Sequence, residues 1–193
     1  MLREKAAGTY RVSTYFLART ICDLSIQVMS PILYSIIVYF MIGYKGNFGI
    51  FLAMLTLDTI AATSLAVLIS CVCVSIELTT VVMSCCFELM RLYGNFFMKP
   101  YEFRSQEDLR FIESLSYLKY VYITIARNEL EGLVYTCSVS QAKNGVCPIQ
   151  NGDQTSVSMG YNVYPYGHTV GTLICIIVLY RVGAYIALRV IKN

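Results

Sequence analysis

Four long apolar stretches constrain this chain more than any other feature of its sequence. They lie at residues 24–42, 48–74, 78–97 and 170–190, and few charged side chains interrupt them. A helix needs about 20 mainly apolar residues to cross the hydrocarbon core of a bilayer. None of the stretches shows the strict alternation of a barrel strand. The sequence therefore predicts an all-α fold, a polytopic membrane bundle with four transmembrane helices.

The composition agrees with a membrane protein. Of 193 residues, 56% are hydrophobic and only 14% are charged, whereas about a quarter are charged in a typical soluble domain. The net charge of +3 is small and scattered, which argues against a nucleic-acid partner. A soluble core with buried helices is the alternative for each stretch, but four stretches with basic flanks favour the lipid bilayer.

The basic residues predict the orientation. The first 23 residues carry Arg3, Lys5, Arg11 and Arg19, and the C-terminal tail carries Arg189 and Lys192, whereas the turn at 43–49 has one lysine. Lys and Arg concentrate on the cytoplasmic side of membrane proteins. Both termini are therefore predicted to be cytoplasmic, the plasma membrane is the expected location, and residues 98–169 are predicted to form an extracellular loop.

The N-terminal flank, residues 1–23, is amphipathic. Tyr10, Thr14, Leu17 and Ile21 recur at helical spacing, and arginines flank them. This pattern is typical of an interfacial helix that leads into the first span.

The same flank carries a resemblance. Glu4, Gly8, Tyr10-Arg11, Ser13 and Tyr15 are similar to the E-x-x-x-G-x-Y-R-x-S-x-Y stretch of the G subfamily of ATP-binding cassette transporters, the white and breast-cancer-resistance half-transporters. The similarity continues through Asp23, Pro31 and residues 37–43, and returns at Arg127–Leu130, which resembles the family's Asn-Glu-Phe. Cys137, Cys147 and residues 160–167 fit the family's last outer loop, so the resemblance covers nearly the whole chain.

This resemblance implies the C-terminal part of an exporter's transmembrane domain. The implied function is the substrate pathway and dimer interface for ATP-driven efflux of amphipathic small molecules or lipids, in a homodimer or heterodimer of half-transporters. ATP and Mg²⁺ would be bound by the family's nucleotide-binding domain. The chain has no Gly-x-x-x-x-Gly-Lys-Ser/Thr loop, so by itself it is expected to have no cofactor, no catalytic residue and no ATPase activity.

By similarity, Glu4, Tyr10 and Arg11 would contact the nucleotide-binding domain and transmit its motion. The alternative for these three residues is a membrane-surface anchor that only fixes where the first span begins.

The third stretch carries polar residues on one helical face. Ser84, Phe87, Glu88, Arg91 and Asn95 are spaced at i, i+3, i+4, i+7 and i+11. A charged side chain at the bilayer centre costs about 2.5–3.5 kcal/mol on insertion scales. This face is therefore predicted to look into a bundle, a wet cavity or a partner, and Glu88 can pair with Arg91 at i, i+3.

The resemblance implies that this helix lines a central substrate cavity at the dimer axis. Phe87 matches a cavity aromatic, and Phe96 and Phe97 fall where a closing pair of apolar residues would lie. Glu88 and Arg91 depart from the apolar residues of drug- and sterol-exporting relatives. They favour a polar or zwitterionic amphiphile, or a site that no longer transports, and a purely structural ion pair is the open alternative.

Three further features lead to predictions. Asp58 and Arg181 are charges inside the second and fourth stretches, and either they pair across the bundle or Arg181 extends to an interface. Residues 117–125 are predicted to form a short interfacial helix. Cys137 and Cys147, with nine residues between them on the oxidising side, can form a disulfide worth about 2–3 kcal/mol. The family has an intrachain loop disulfide and some members add an interchain one, but two cysteines cannot form both.

Two other functions remain open from the sequence. One is a four-span scaffold of the tetraspanin type, although tetraspanins carry Cys-Cys-Gly in the loop, whereas Cys85-Cys86 lies within a predicted span and precedes Phe87. The other is a non-transporting relative that dimerises with an intact half-transporter and modulates it.

Overall fold

The described part of the protein is helical. A computed structural model describes residues 12–73, 75–94, 113–135 and 149–190. Within these ranges the only β pairing is an isolated bridge between Val134 and Asn151. The predicted all-α class is therefore confirmed for these residues. The helices are α1 (Val12–Ile42), α2 (Phe48–Val72), α3 (Ile76–Leu92), α4 (Tyr117–Leu130), α5 (Gly152–Ser158) and α6 (Tyr166–Val190), with a 3₁₀ turn at Tyr161–Val163.

Three of these helices are long and apolar enough to cross a membrane. They are the Thr20–Ile42 part of α1, the whole of α2 and the whole of α6, which correspond to the first, second and fourth predicted spans. The start of α2 is fixed by Asn47, whose side-chain oxygen accepts a hydrogen bond from the Gly49 N–H at 2.8 Å. The protein is thus an integral membrane helix bundle.

The first helix is longer than predicted. It runs without interruption from Val12 to Ile42, because no glycine or proline occurs between Val12 and Pro31. Pro31 lies inside the helix, and the Ser35 hydroxyl donates to its carbonyl. The described part of the predicted amphipathic segment and the first span therefore form one continuous helix. Residues 1–11 of that segment lie outside the described residues.

The third predicted span, residues 78–97, is not confirmed as a complete crossing. Helix α3 has 17 residues, a length of about 25 Å at 1.5 Å per residue, whereas the hydrocarbon core is about 30 Å thick. Glu77, Glu88 and Arg91 lower its hydropathy, and the helix ends before Tyr93 and Gly94. Residues 95–97 fall outside the described ranges.

The core lies where α2 packs against α6 and α4. Its buried side chains include Met54, Ala61 and Leu65 of α2, Leu173 of α6, and Tyr120 of α4. A second cluster joins Cys71 near the end of α2 to Ala184, Ala187 and Leu188 near the end of α6. The end of α2 and the end of α6 therefore lie on the same side of the bundle.

Helix α4 enters the bundle rather than lying on its surface. Its last turn contacts the start of α2, since Asn128 is hydrogen-bonded to Asn47. Its other end lies beside the middle of the bundle: the Ser116 hydroxyl donates to the Met90 carbonyl at 2.8 Å, and Tyr180 donates to the Leu115 carbonyl. We call the end of the bundle that carries the α1–α2 turn and the start of α6 its outer end, and the opposite direction inner. Tyr180 is 14 residues into α6, so α4 begins roughly 20 Å from the outer end.

The prediction that residues 117–125 form an interfacial helix with tyrosines among the head groups is therefore wrong, whereas the extracellular placement of residues 98–169 stays a prediction. Tyr117 and Tyr120 are only 3% and 5% exposed, because they pack against protein rather than head groups. The two charges at the inner end are accommodated as an ion pair, with 2.8 Å between Lys119 Nζ and Glu113 Oε1.

Candidate functional site

The exposed side of α3 carries an ion pair. Arg91 Nη1 lies 3.3 Å from Glu88 Oε1, and the two side chains are 61% and 68% exposed. Ser84 is also exposed, and its hydroxyl donates to the Thr80 carbonyl of the preceding turn. The predicted i, i+3 pairing of Glu88 with Arg91 is confirmed. A shallow recess around the pair is lined by Cys85, Leu89 and Leu92.

Phe87 does not belong to this exposed face. It is partly buried and packs, with Met83 and Met90, against the core formed by α2 and α4. The prediction that Phe87 shares one face with Glu88 is therefore wrong, because consecutive helical residues are about 100° apart and the core takes the side that includes Phe87. Of the described residues predicted for this face, the structure brings together Ser84, Glu88 and Arg91, and Asn95 lies outside the described ranges.

A network of hydrogen bonds fixes the outer end of α4 to the turn between α1 and α2. The Glu129 carboxylate accepts hydrogen bonds from the N–H groups of Lys45 and Gly46 at 3.1–3.2 Å. The Asn128 side chain accepts from the Asn47 N–H and donates to the Asn47 carbonyl, both at 3.1 Å. The sequence pointed to Arg127–Leu130 only as a resemblance; the structure shows that Asn128 and Glu129 hold this turn.

A second set of contacts joins α4 to the entrance of α6. Arg127 donates to the Tyr164 carbonyl at 3.0 Å and lies 4.7 Å above the Tyr166 ring. Tyr166 donates to Glu131 at 2.8 Å. Together with the Asn128 and Glu129 contacts, these bonds fix the end of α4 between the α1–α2 turn and the start of α6.

A groove runs along the remaining face of α4 and has a volume of about 530 Å³. Arg91 and Gly94 line its inner end, and Glu129 and Tyr44 line its outer end. Burial raises the pKa of Tyr44, with a smaller contribution from Glu129. Burial and the hydrogen bond with Tyr122 raise the pKa of Tyr161, another lining residue. Both phenols are therefore uncharged at neutral pH.

The suggested pairing of Asp58 with Arg181 is not present. Arg181 Nε donates to Ser64 Oγ at 2.9 Å, and Nη1 donates to Thr20 Oγ1 at 3.3 Å. One carboxylate oxygen of Asp58 is buried with no hydrogen-bond partner among the described residues. Ser64 is six residues beyond Asp58, about 9 Å along α2, so the two charges lie at different depths. Arg181 instead joins α6 to α1 and α2.

Several predicted site residues lie outside the described ranges. They are the coupling candidates Glu4, Tyr10 and Arg11, the closing pair Phe96 and Phe97, and the disulfide candidates Cys137 and Cys147. Their roles remain predictions.

The described helices define an integral membrane protein in which the shorter helix α4 is inserted against α2, α3 and α6, and an ion pair lies on the exposed side of α3. The profile of the ABC-2 type transporter family matches residues 1–130. The chain therefore belongs to the ABC-2 type transporter family and supplies the transmembrane part of such a transporter.

Curated relatives confirm the resemblance to the G subfamily. The chain is 28% identical to ABC transporter G family member 1 of Dictyostelium discoideum over 97% of its length, and 31% identical to the ATP-binding protein/permease wht-1 of Caenorhabditis elegans over 98%. Over the whole of this chain, it is 28% identical to the broad substrate specificity ATP-binding cassette transporter ABCG2 of Bos taurus. The chain spans 24%, 29% and 30% of the length of these three relatives.

Proposed function

We propose that this chain forms the substrate pathway and the dimer interface of an ATP-driven exporter of amphipathic molecules. The observation that supports this most directly is the Glu88–Arg91 pair, which is mostly exposed although it lies near Met90, at the depth where α4 begins. Lipid tails solvate charges poorly. A second half-transporter, identical or different, or a wet cavity must therefore cover this side of α3.

The pair also favours a particular class of substrate. It presents one carboxylate and one guanidinium, so a zwitterionic or polar amphiphile can find an opposite charge for each of its own. Helix α3 is otherwise largely apolar on its exposed side, with Val81, Leu89 and Leu92, which suits the hydrocarbon part of such a molecule. Phe96 and Phe97 would close the pathway on its outer side.

The remaining parts of the proposal concern energy supply and placement. A nucleotide-binding domain of the same transporter would bind ATP and Mg²⁺, and Glu4, Tyr10 and Arg11 would contact it. The unbroken helix from Val12 into the first span supports this, because a rigid helix transmits displacement. Both termini would be cytoplasmic in the plasma membrane, and Cys137 would be linked to Cys147 outside.

Transport by a complete exporter tests the role of the pair. A chimaera of wht-1 in which this chain replaces the matching residues would first be shown to export a set of neutral, anionic and zwitterionic fluorescent amphiphiles from vesicles. Replacing the pair with apolar residues (Glu88→Val with Arg91→Met) should reduce export of the zwitterionic compounds relative to the neutral ones.

Two further variants separate substrate choice from a structural role. Exchanging the charges (Glu88→Arg with Arg91→Glu) keeps an ion pair but reverses its direction, so it should alter the ranking of zwitterionic compounds. Glu77→Gln removes an exposed charge from the first turn of the same helix and should leave the ranking unchanged. An identical export profile for wild type, apolar and exchanged variants would refute the proposal.

A further inference from the structure

We infer that the groove along α4 binds a single-chain amphiphile with an acidic head group, and that Arg91 is the partner of that head group. The inference concerns binding to this chain and does not depend on ATP-driven export. The groove lies beside the exposed side of α3, and Arg91 lines both.

The shape of the groove suits an elongated molecule. One face of α4 forms its floor, and the lining residues of α4 recur at helical spacing: Leu118, Val121, Tyr122, Ile125, Ala126, Glu129 and Leu130. From the first to the last of these residues the helix rises about 18 Å. The other side is lined by Tyr44, Thr155, Met159 and Tyr161. A volume of about 530 Å³ is within the usual range for one small-molecule ligand.

The charges of the groove favour an anion at its inner end. Arg91 is the only cationic side chain among the described lining residues, and Glu129 is the only acidic one. The Glu129 carboxylate already accepts hydrogen bonds from the N–H groups of Lys45 and Gly46. The raised pKa values of Tyr44 and Tyr161 keep these phenols neutral. A carboxylate or phosphate head group would therefore bind at the Arg91 guanidinium.

The body of the ligand would be apolar. Leu118, Val121, Ile125 and Met159 provide aliphatic contacts, and the edge-to-face pair of Tyr122 and Tyr161, with 6.2 Å between ring centroids, forms an aromatic wall. A volume of about 530 Å³ suits one hydrocarbon chain better than two. We therefore assign it to a long-chain acid rather than to a two-chain phospholipid.

Photolabelling of the purified chain in phosphatidylcholine nanodiscs tests this assignment. The probes are a diazirine-labelled palmitic acid, the matching diazirine hexadecanol and a diazirine-labelled phosphatidic acid. The acid should label the groove-lining residues of α4 or residues 155–161, as mapped by mass spectrometry of the digested protein. Unlabelled palmitate should compete more strongly than hexadecanol.

Variants of the two paired charges should act in opposite directions. Arg91→Met should weaken binding of the acid roughly fivefold, as expected for the loss of one partly exposed charge-assisted hydrogen bond. Glu88→Gln should strengthen it, because Glu88 competes with the ligand for Arg91. Arg189→Met removes an exposed cation at the far end of α6 and should have no effect.

Filling the groove provides a test that does not depend on charge. Ile125→Trp should abolish labelling of the groove, whereas Ile174→Trp, on the exposed side of α6, should not. Equal labelling by the acid and the alcohol, equal affinity of the wild type and Arg91→Met, or preferential labelling by phosphatidic acid would overturn the inference.

Discussion

Gly46 is the residue of the outer turn with the least room for a side chain. A Cβ atom at this position would lie 2.5 Å from the Asn128 carbonyl oxygen and 2.6 Å from the Asn128 side-chain nitrogen. Gly46→Ala should therefore separate α4 from the turn and lower the free energy of unfolding by about 1–3 kcal/mol, the usual cost of overpacking. The measurement is the thermal unfolding midpoint of the chain in detergent.

Gly167 offers a matched control for this substitution. It lies in the first turn of α6, and an added Cβ would meet nothing within 4 Å. Gly167→Ala should leave the midpoint unchanged or raise it slightly, because alanine favours helix. Equal midpoints for both variants would mean that the close approach at Gly46 relaxes without cost.

Asn128→Asp should make the same contact dependent on pH. The amide of Asn128 donates to the Asn47 carbonyl, and an ionised carboxylate cannot donate. The variant should lose about 1–3 kcal/mol at neutral pH. A protonated carboxyl restores a donor, so folding should raise the pKa of the new aspartate, and the loss should diminish as the pH falls through that pKa.

The measurement is the difference in unfolding midpoint between Asn128→Asp and wild type at about pH 4 and about pH 7. A difference that stays constant, or that increases in acid, would contradict this hydrogen-bond assignment. The more general acid sensitivity of the protein cancels because wild type is measured at each pH.

Sequence spacing predicted the contacts that form within one helix, but not those between residues far apart in the sequence. The Glu88–Arg91 pair follows from helical periodicity, since residues three apart lie on adjacent turns. The Asn128–Asn47 contact joins residues 81 positions apart, and no spacing rule brings these together. Arg181 shows the same limit: its charge inside a span was evident, but its partners Ser64 and Thr20 depend on how three helices pack.

Among the helices, α4 is the element whose placement the sequence predicted worst. It has 14 residues, too few to read as a span, and tyrosines suggested a surface position. The inserted position depends on contacts with α2 and α6, including the hydrogen bond between Thr124 and Thr169 at 2.9 Å. By contrast, the first, second and fourth spans could be predicted because length and apolar composition alone determine them.

The ion pair at the inner end of α4 should decide whether this helix stays inserted. Lys119 and Glu113 are only 4% and 7% exposed. Lys119→Met leaves a buried carboxylate without its partner and should cost about 3–5 kcal/mol. The double variant Lys119→Met with Glu113→Leu removes both charges and should recover most of that loss. Unfolding midpoints of the three proteins in the same detergent provide the measurement.

A double variant as unstable as Lys119→Met would show that the lysine acts through another contact. The candidate is the Tyr164 ring, because Lys119 Nζ lies 4.9 Å from its centroid. Tyr164→Leu, measured beside the pair variants, identifies that contribution separately.

For the molecule as a whole, the exposed surface falls into two kinds. The faces of α1 and α6 that point away from the core expose apolar side chains such as Ile26, Met29, Phe40, Leu179 and Ile186, which suit lipid. The exposed side of α3 mixes apolar residues with Glu88 and Arg91. Lipid can cover the first kind but not the second. If one surface of the chain meets another subunit, it is the side of α3.

Oxidative cross-linking of the native cysteines tests which surface meets a second copy. Cys85 is exposed on the charged side of α3, Cys22 is exposed on α1, and Cys175 is exposed on α6. In membranes that contain the chain with Cys137 and Cys147 replaced by serine, a copper–phenanthroline oxidant should produce a covalent dimer through Cys85. Cys85→Ser should abolish that dimer, whereas Cys22→Ser and Cys175→Ser should retain it. Because a disulfide requires the two Cα atoms to approach within about 7 Å, a dimer that persists in Cys85→Ser and disappears in either other variant would place the contact on a lipid-type surface instead.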